Sequence, residues 1–256
     1  MDRLKTTPEG IAGKASRRKL FFFWLVDTSG SMSGNKIQKV NWAIKHVLPE
    51  IEQLQDEERV DVYMGLIKFG QNADWHGGEA PMEISEFKSK WEDMDATGTE
   101  TSTSKAIDLL RGALDIEKLG RRNVPPVCIL LSDGYCTDQG NMYEEAIRKL
   151  NTIPWGVKAV RLSIGISDGR TPYNKAQLDE FISPYLRREG NVDTLDANTP
   201  RKLVQYIVVA STSAAKKSST TDEDVANEPV PVAMTKEDLN REPPEARILP
   251  SADEVF

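Results

Sequence analysis

Asp27-Thr28-Ser29-Gly30-Ser31 follows directly on the apolar run Leu20-Phe-Phe-Phe-Trp-Leu-Val26 and carries one carboxylate and two hydroxyls at i, i+2 and i+4. On a tight glycine-containing turn such groups converge on one point and offer the hard oxygen donors that Mg2+ prefers. Two other segments carry the same chemistry. Asp95-Ala-Thr-Gly-Thr-Glu-Thr-Ser-Thr-Ser104 is dense in hydroxyls, and Ser132-Asp133-Gly134 supplies a second carboxylate. Counting back from the helical pattern that includes Lys105-Ala106-Ile107 makes Thr101 the best donor of the middle segment, with Thr99 and Thr103 as alternatives. Each segment alone has an ordinary use, since Asp and Ser cap helix N-termini and Ser-Asp-Gly is common turn chemistry. The three together, ahead of helices or after strands, point to a metal site.

The elements that must hold these groups follow from the hydrophobic pattern. Leu20–Val26 is a continuous apolar run, as expected of a buried central strand. Residues 36–55 place Ile37, Val40, Ile44, Val47, Leu48, Ile51 and Leu54 at helical spacing. Further strands are expected at Arg59–Phe69, Pro81–Ile84, Val127–Leu131, Val157–Ile166 and Val192–Leu195. Helices are expected after the Thr-rich segment and at about 140–151, 175–186 and 200–213. The fold class is therefore α/β, a doubly wound, mainly parallel six-stranded sheet with helices on both faces. In such sheets ligands bind beyond the carboxyl ends of the strands, which is where the three polar segments fall.

Asp27-x-Ser29-x-Ser31, a loop Thr and Ser132-Asp133-Gly134, in that order after successive strands, resemble the von Willebrand factor A domain and its metal-ion-dependent adhesion site. The resemblance spans residues 18–214. It implies Asp27, Ser29, Ser31, Thr101 and Asp133 as the groups that hold Mg2+, with Mn2+ or Ca2+ as alternatives, directly or through water. It further implies a protein partner whose Glu or Asp completes the coordination sphere, and an interaction module or adaptor rather than an enzyme. The Phe-Trp-Leu-Val strand and the compact size look like bacterial TerY-type proteins of tellurium-resistance and stress systems. That resemblance implies a cytoplasmic adaptor working beside a Ser/Thr kinase and a metal-dependent protein phosphatase. Two departures stand out. The chain ends in an acidic, cysteine-free tail instead of a zinc ribbon, and Thr99-Glu100-Thr101 replaces the usual Gly-Gly-Thr, bringing the Glu100 carboxylate to the loop.

Composition excludes several other classes. The 33 basic and 40 acidic side chains leave a net charge of −7 and no basic footprint for nucleic acid or anionic lipid. Seven apolar residues are too few to span a bilayer. Cys128 and Cys136 have neither disulfide-scaffold nor zinc-ligand spacing, which fits a reducing compartment. Only His46 and His76 are present, and neither follows a strand, so a Ser-His-Asp triad lacks its base. Ser29 stands where a phosphoryl-transferring aspartate pair would need its second Asp, and Gly30-Ser-Met-Ser-Gly-Asn-Lys36 misses the P-loop spacing. The competing functions are a metal-dependent phosphate-ester hydrolase, with Glu100 as its base, and a scaffold that recruits through its tail.

Three parts are expected along the chain: a flexible N-terminal segment (1–17), the α/β domain (18–214) and an acidic, disordered tail (215–256). The tail holds ten acidic and five basic side chains and five of the fourteen prolines, a composition unable to build a core. Its local helix signal is Thr235-Lys-Glu-Asp238, a capping arrangement for one turn containing Leu239. Ser218, Ser219, Thr220 and Thr221, ahead of Asp222-Glu223-Asp224, read as phosphorylation candidates. Leu239, Ile248, Leu249, Val255 and Phe256 read as anchors of a peptide that folds on a partner.

Overall fold

The computed structural model describes residues 17–169, 172–197, 199–219 and 234–241. Strand β1 (Arg18–Asp27) is buried on both sides: Leu20, Phe22, Trp24 and Val26 join one core, and Phe21, Phe23 and Leu25 the other. The period-two geometry of a strand sends alternate side chains to opposite faces, so a strand covered on both must be apolar throughout. A short 3-10 turn leads to α1 (Asn35–Glu57), whose Ile37, Val40, Ile44, Val47, Leu48 and Ile51 pack on the first face. β2 (Val60–Phe69) then pairs parallel with β1 along its full length.

Two short antiparallel strands, β3 (Ala73–Trp75) and β4 (Met82–Glu83), border β2. The expected strand at Pro81–Ile84 is thus only two residues long, because Ile84 begins α2 (Ile84–Ser89). β3 raises the expected six strands to seven: the turn-prone stretch after Gly70 folds back on Ile67–Phe69, and Trp75 packs beside Phe23 at 6.2 Å between ring centres. α3 (Thr103–Ala113) and α4 (Ile116–Leu119) cover the second face and lead to β5 (Val127–Ser132), parallel to β1.

α5 (Met142–Leu150) and α6 (Pro154–Lys158) follow on the second face. The strand expected from Val157 starts later, as β6 (Val160–Gly165), because Pro154 sits in the first turn of α6, where its missing N–H costs nothing. The single helix expected over 175–186 is two, α7 (Lys175–Phe181) and α8 (Pro184–Glu189). Pro184 drives Ser183 to an extended conformation. The Ser183 hydroxyl donates to the Ala159 carbonyl at 2.6 Å and accepts from the Arg161 N–H at 2.9 Å, which fixes the break against β6. β7 (Leu195–Asp196) closes the sheet, in the order β3-β2-β1-β5-β6-β7 with β4 beside β2.

α9 (Pro200–Ser219) packs beside α1 on the first face and continues past the expected end at residue 213. α10 (Lys236–Asn240) carries the expected capping box, Thr235 with Asp238. The expectation that the tail lacks core contacts does not extend to residues 234–241. Met234 and Leu239 are buried in the first-face core, so Leu239 is no free anchor. Thr220, Thr221, Ile248, Leu249, Val255, Phe256 and residues 1–16 lie outside the described residues. Among the described residues no helix is long and apolar enough to cross a membrane.

Candidate functional site

Asp27 ends β1 and is fully buried. Its Oδ1 accepts the Ser29 N–H at 2.8 Å, and its Oδ2 accepts the Ser132 hydroxyl at 2.6 Å. The Ser132 oxygen in turn accepts the Gly134 N–H at 2.8 Å, so two strand ends orient one carboxylate. Each carboxylate oxygen keeps a further lone-pair direction. Burial pushes the Asp27 carboxyl above the usual carboxylate range, the bonds from Ser132 and Ser29 pull it back, and the nearby negative charge of Asp133 adds to the rise.

Ser29 is buried and Ser31 exposed, with their hydroxyl oxygens 3.1 Å apart. Neither is spent on capping: Ser29 precedes the 3-10 turn Gly30–Met32 without a side-chain capping bond, and Gly34 caps α1. Buried Met32 pins the turn. The Gly30 N–H donates to the Gly98 carbonyl at 2.5 Å and the Gly98 N–H to the Thr28 carbonyl at 3.3 Å, which lays the Thr-rich segment alongside the Ser29 turn. A Cβ on Gly30 would stand 2.9 Å from that carbonyl, too close for any other residue without a shift.

Of the three threonines, Thr101 is buried, Thr99 is exposed, and Thr103 is buried at the start of α3. The Thr101 N–H donates to the Thr137 hydroxyl at 2.8 Å, and its carbonyl accepts the Thr137 N–H at 3.0 Å. Ser104 donates through both N–H and hydroxyl to Asp138, each at 2.7 Å. Thr137 and Asp138, which hold this loop to the one after β5, carry no periodic or motif signal in the sequence. Glu100 is exposed.

Asp133, one residue beyond β5, is buried, and its Oδ2 lies 3.1 Å from the Lys36 ammonium, also buried. Its carbonyl accepts the Asn174 N–H at 2.8 Å. Sequence reasoning missed Lys36 as part of the site. The available signal was a lysine in the first turn of a helix, where the macrodipole disfavours a cation.

All of this lies where the sheet order reverses. From β1 the chain crosses the first face through α1 to β2, and reaches β5, on the other side of β1, over the second face through α3. The loops therefore part above the β1/β5 boundary, the position where open α/β sheets bind their ligands. The donors there are two carboxylates and several hydroxyls. Such oxygen donors suit a hard, oxygen-preferring ion; among the described residues no group of three or more His, Cys, Asp or Glu side chains gathers. Contrary to expectation His76 directly follows a strand, β3, but its Nε2 meets the Glu92 carbonyl at 2.9 Å, and His46 Nδ1 meets the Trp42 carbonyl at 2.7 Å, so each bonds backbone.

The family model described as von Willebrand factor type A domain matches residues 23–186. No curated protein is matched by the sequence. Among solved structures, proximal thread matrix protein 1 from the mussel byssus aligns with a TM-score of 0.55 at 16% identity, covering 78% of this chain and 47% of that one. The chain thus spans about half the length of that neighbour. The same mussel protein is also described with a zinc-occupied metal-ion-dependent adhesion motif, at TM-score 0.55 and 17% identity, covering 78% of this chain and 46% of that one. The conserved hypothetical protein BatB from Bacteroides thetaiotaomicron aligns at TM-score 0.53 and 16% identity, covering 77% of this chain and 99% of that one. At these identities the likeness is one of fold.

Proposed function

The chain belongs to the von Willebrand factor type A family, and from that membership we propose that it is a non-catalytic, metal-dependent protein-interaction module. Asp27, Ser29, Ser31, Thr101 and Asp133 would hold the ion, Mg2+ with Mn2+ or Ca2+ as alternatives, and a Glu or Asp of a partner protein would complete its coordination. The observation that carries this reading is the buried Asp27 carboxylate, clamped by the Ser29 N–H and the Ser132 hydroxyl beside two serine hydroxyls that no helix uses for capping. The ion would supply a positive centre with an open position, and the protein's own groups would orient it and exclude water from its buried side. The zinc-occupied motif described for the mussel neighbour supports the choice of a divalent ion.

The finer reading is a cytoplasmic adaptor beside a Ser/Thr kinase and a metal-dependent protein phosphatase in a bacterial stress or tellurium-resistance system. It is supported by the TerY-like Phe-Trp-Leu-Val strand and by the two free cysteines, which suit a reducing compartment.

The test is capture of partners from native lysate with Mg2+ or with chelator, comparing the natural chain with Asp27→Asn and the Ser29→Ala/Ser31→Ala pair. Capture is expected to need the ion and to vanish in both variants while their thermal unfolding in chelator stays near that of the natural chain. Capture that persists in chelator and in Asp27→Asn would place binding elsewhere on the molecule and overturn the reading.

A further inference from the structure

We infer that Lys36 is the site's resident counter-cation: its ammonium neutralises Asp133 while no ion is bound, and a divalent ion must bind against its positive charge, so Lys36 sets the metal affinity of the site. This rests on the metal-site reading above.

Three observations carry it. First, Lys36 Nζ and Asp133 Oδ2 are 3.1 Å apart with side-chain exposures of 6% and 1%, whereas the other ion pairs among the described residues are at least partly exposed. A buried ammonium is costly unless paired, and this one also opposes the dipole of α1, so Asp133 is the charge that compensates it. Second, two buried carboxylates, Asp27 and Asp133, stand near each other at the ends of β1 and β5, and their charges repel. Lys36 compensates one, which leaves the site short of a full divalent charge. Third, among the described residues Asp133 Oδ1 has only the distant Tyr135 N–H at 3.5 Å, while Oδ2 is bonded to the lysine, so the carboxylate keeps lone pairs on Oδ1 that a cation could use. Lys36 therefore both positions Asp133 and weakens the attraction for a second cation.

The experiment is titration calorimetry of Mg2+ and Mn2+ into the full chain and into Lys36→Met, Lys36→Gln, Lys36→Arg and Asp27→Asn, with thermal unfolding in chelator alongside. Removing a unit positive charge from a buried site is expected to tighten Mg2+ binding by about tenfold in Lys36→Met. The metal-free form of that variant should melt lower, and Mg2+ should restore it. Lys36→Gln keeps a donor to Asp133 without the charge and should show the same gain if the Met variant does not fold. Lys36→Arg should keep the natural affinity. Unchanged or weaker binding in Lys36→Met and Lys36→Gln, with natural binding that Asp27→Asn abolishes, would overturn the role of Lys36 and leave the metal site standing. No binding in the natural chain or in either neutral variant would overturn both.

Discussion

Asp133 and Lys36 lie 97 residues apart in sequence and share one buried ion pair, so each is the other's reason for tolerating burial. Asp133→Ala in chelator is expected to cost about 3–5 kcal/mol, the range for breaking a buried pair by removing one partner. Urea unfolding measures it, and a change below about 1 kcal/mol would show that solvent satisfies Lys36 instead. Asp27 gives a pH dependence of known sign. Its carboxyl is raised in the folded chain by burial, so between the ordinary carboxylate range and its folded value the native state binds more protons than the unfolded one. Its contribution to stability is fully present below that window and is lost as pH rises through the folded value. Stability in chelator should therefore fall across the window, and Asp27→Asn should remove that slope. Because divalent ions need the carboxylate ionised, Mg2+ affinity should rise over the same interval.

α10 shows how an element too short to be helical alone is held by its surroundings. Its Thr235–Asp238 capping box is local, but the Lys236 N–H donates to the Gly190 carbonyl at 3.1 Å, and Lys236 and Lys175 pair with Asp193 at 2.6 and 3.0 Å. Leu239 is fully buried beneath it. A Cβ on Gly190 would collide with the Met234 carbonyl, so Gly190→Ala should release the segment. Hydrogen exchange is the measurement: the 235–240 amides should lose protection while the amides of β1 and β5 keep theirs. Burial pushes the Asp193 carboxyl up, but the Lys236 and Lys175 ammoniums outweigh it and hold the group below the usual carboxylate value. The docking stability from this group is present above the ordinary carboxylate range and is lost as pH falls through the folded value, so protection of α10 should fade on acidification.

At the scale of the whole molecule, ion binding and stability are one equilibrium. An ion that binds only the folded chain adds about 2.7 kcal/mol at roughly a hundredfold excess over Kd. For a chain of this length that is roughly 5–10 °C in Tm, read by scanning calorimetry with Mg2+ and with chelator. No shift at saturating Mg2+ would contradict the proposed site. Much of this architecture is legible in the sequence, because burial on both faces demands the unbroken run Leu20–Val26 and a helix demands the spacing of Ile37 to Leu54. The placing of Asp27 at the end of such a strand, and of Thr101 and Asp133 on the loops that flank such elements, is legible for the same local reason. The small elements are not: Ala73–Trp75 exists as a strand because β2 offers it an edge, and the break at Ser183 is sealed by the backbone of β6. Apolar periodicity states which face of an element is buried but not which element lies against it. Only the tertiary structure decided that β5 lies beside β1, that Gly98 pairs with the Ser29 turn, that Thr137 holds Thr101, and that Lys36 meets Asp133. Each is a contact between residues distant along the chain, set by packing and charge compensation that no local pattern encodes.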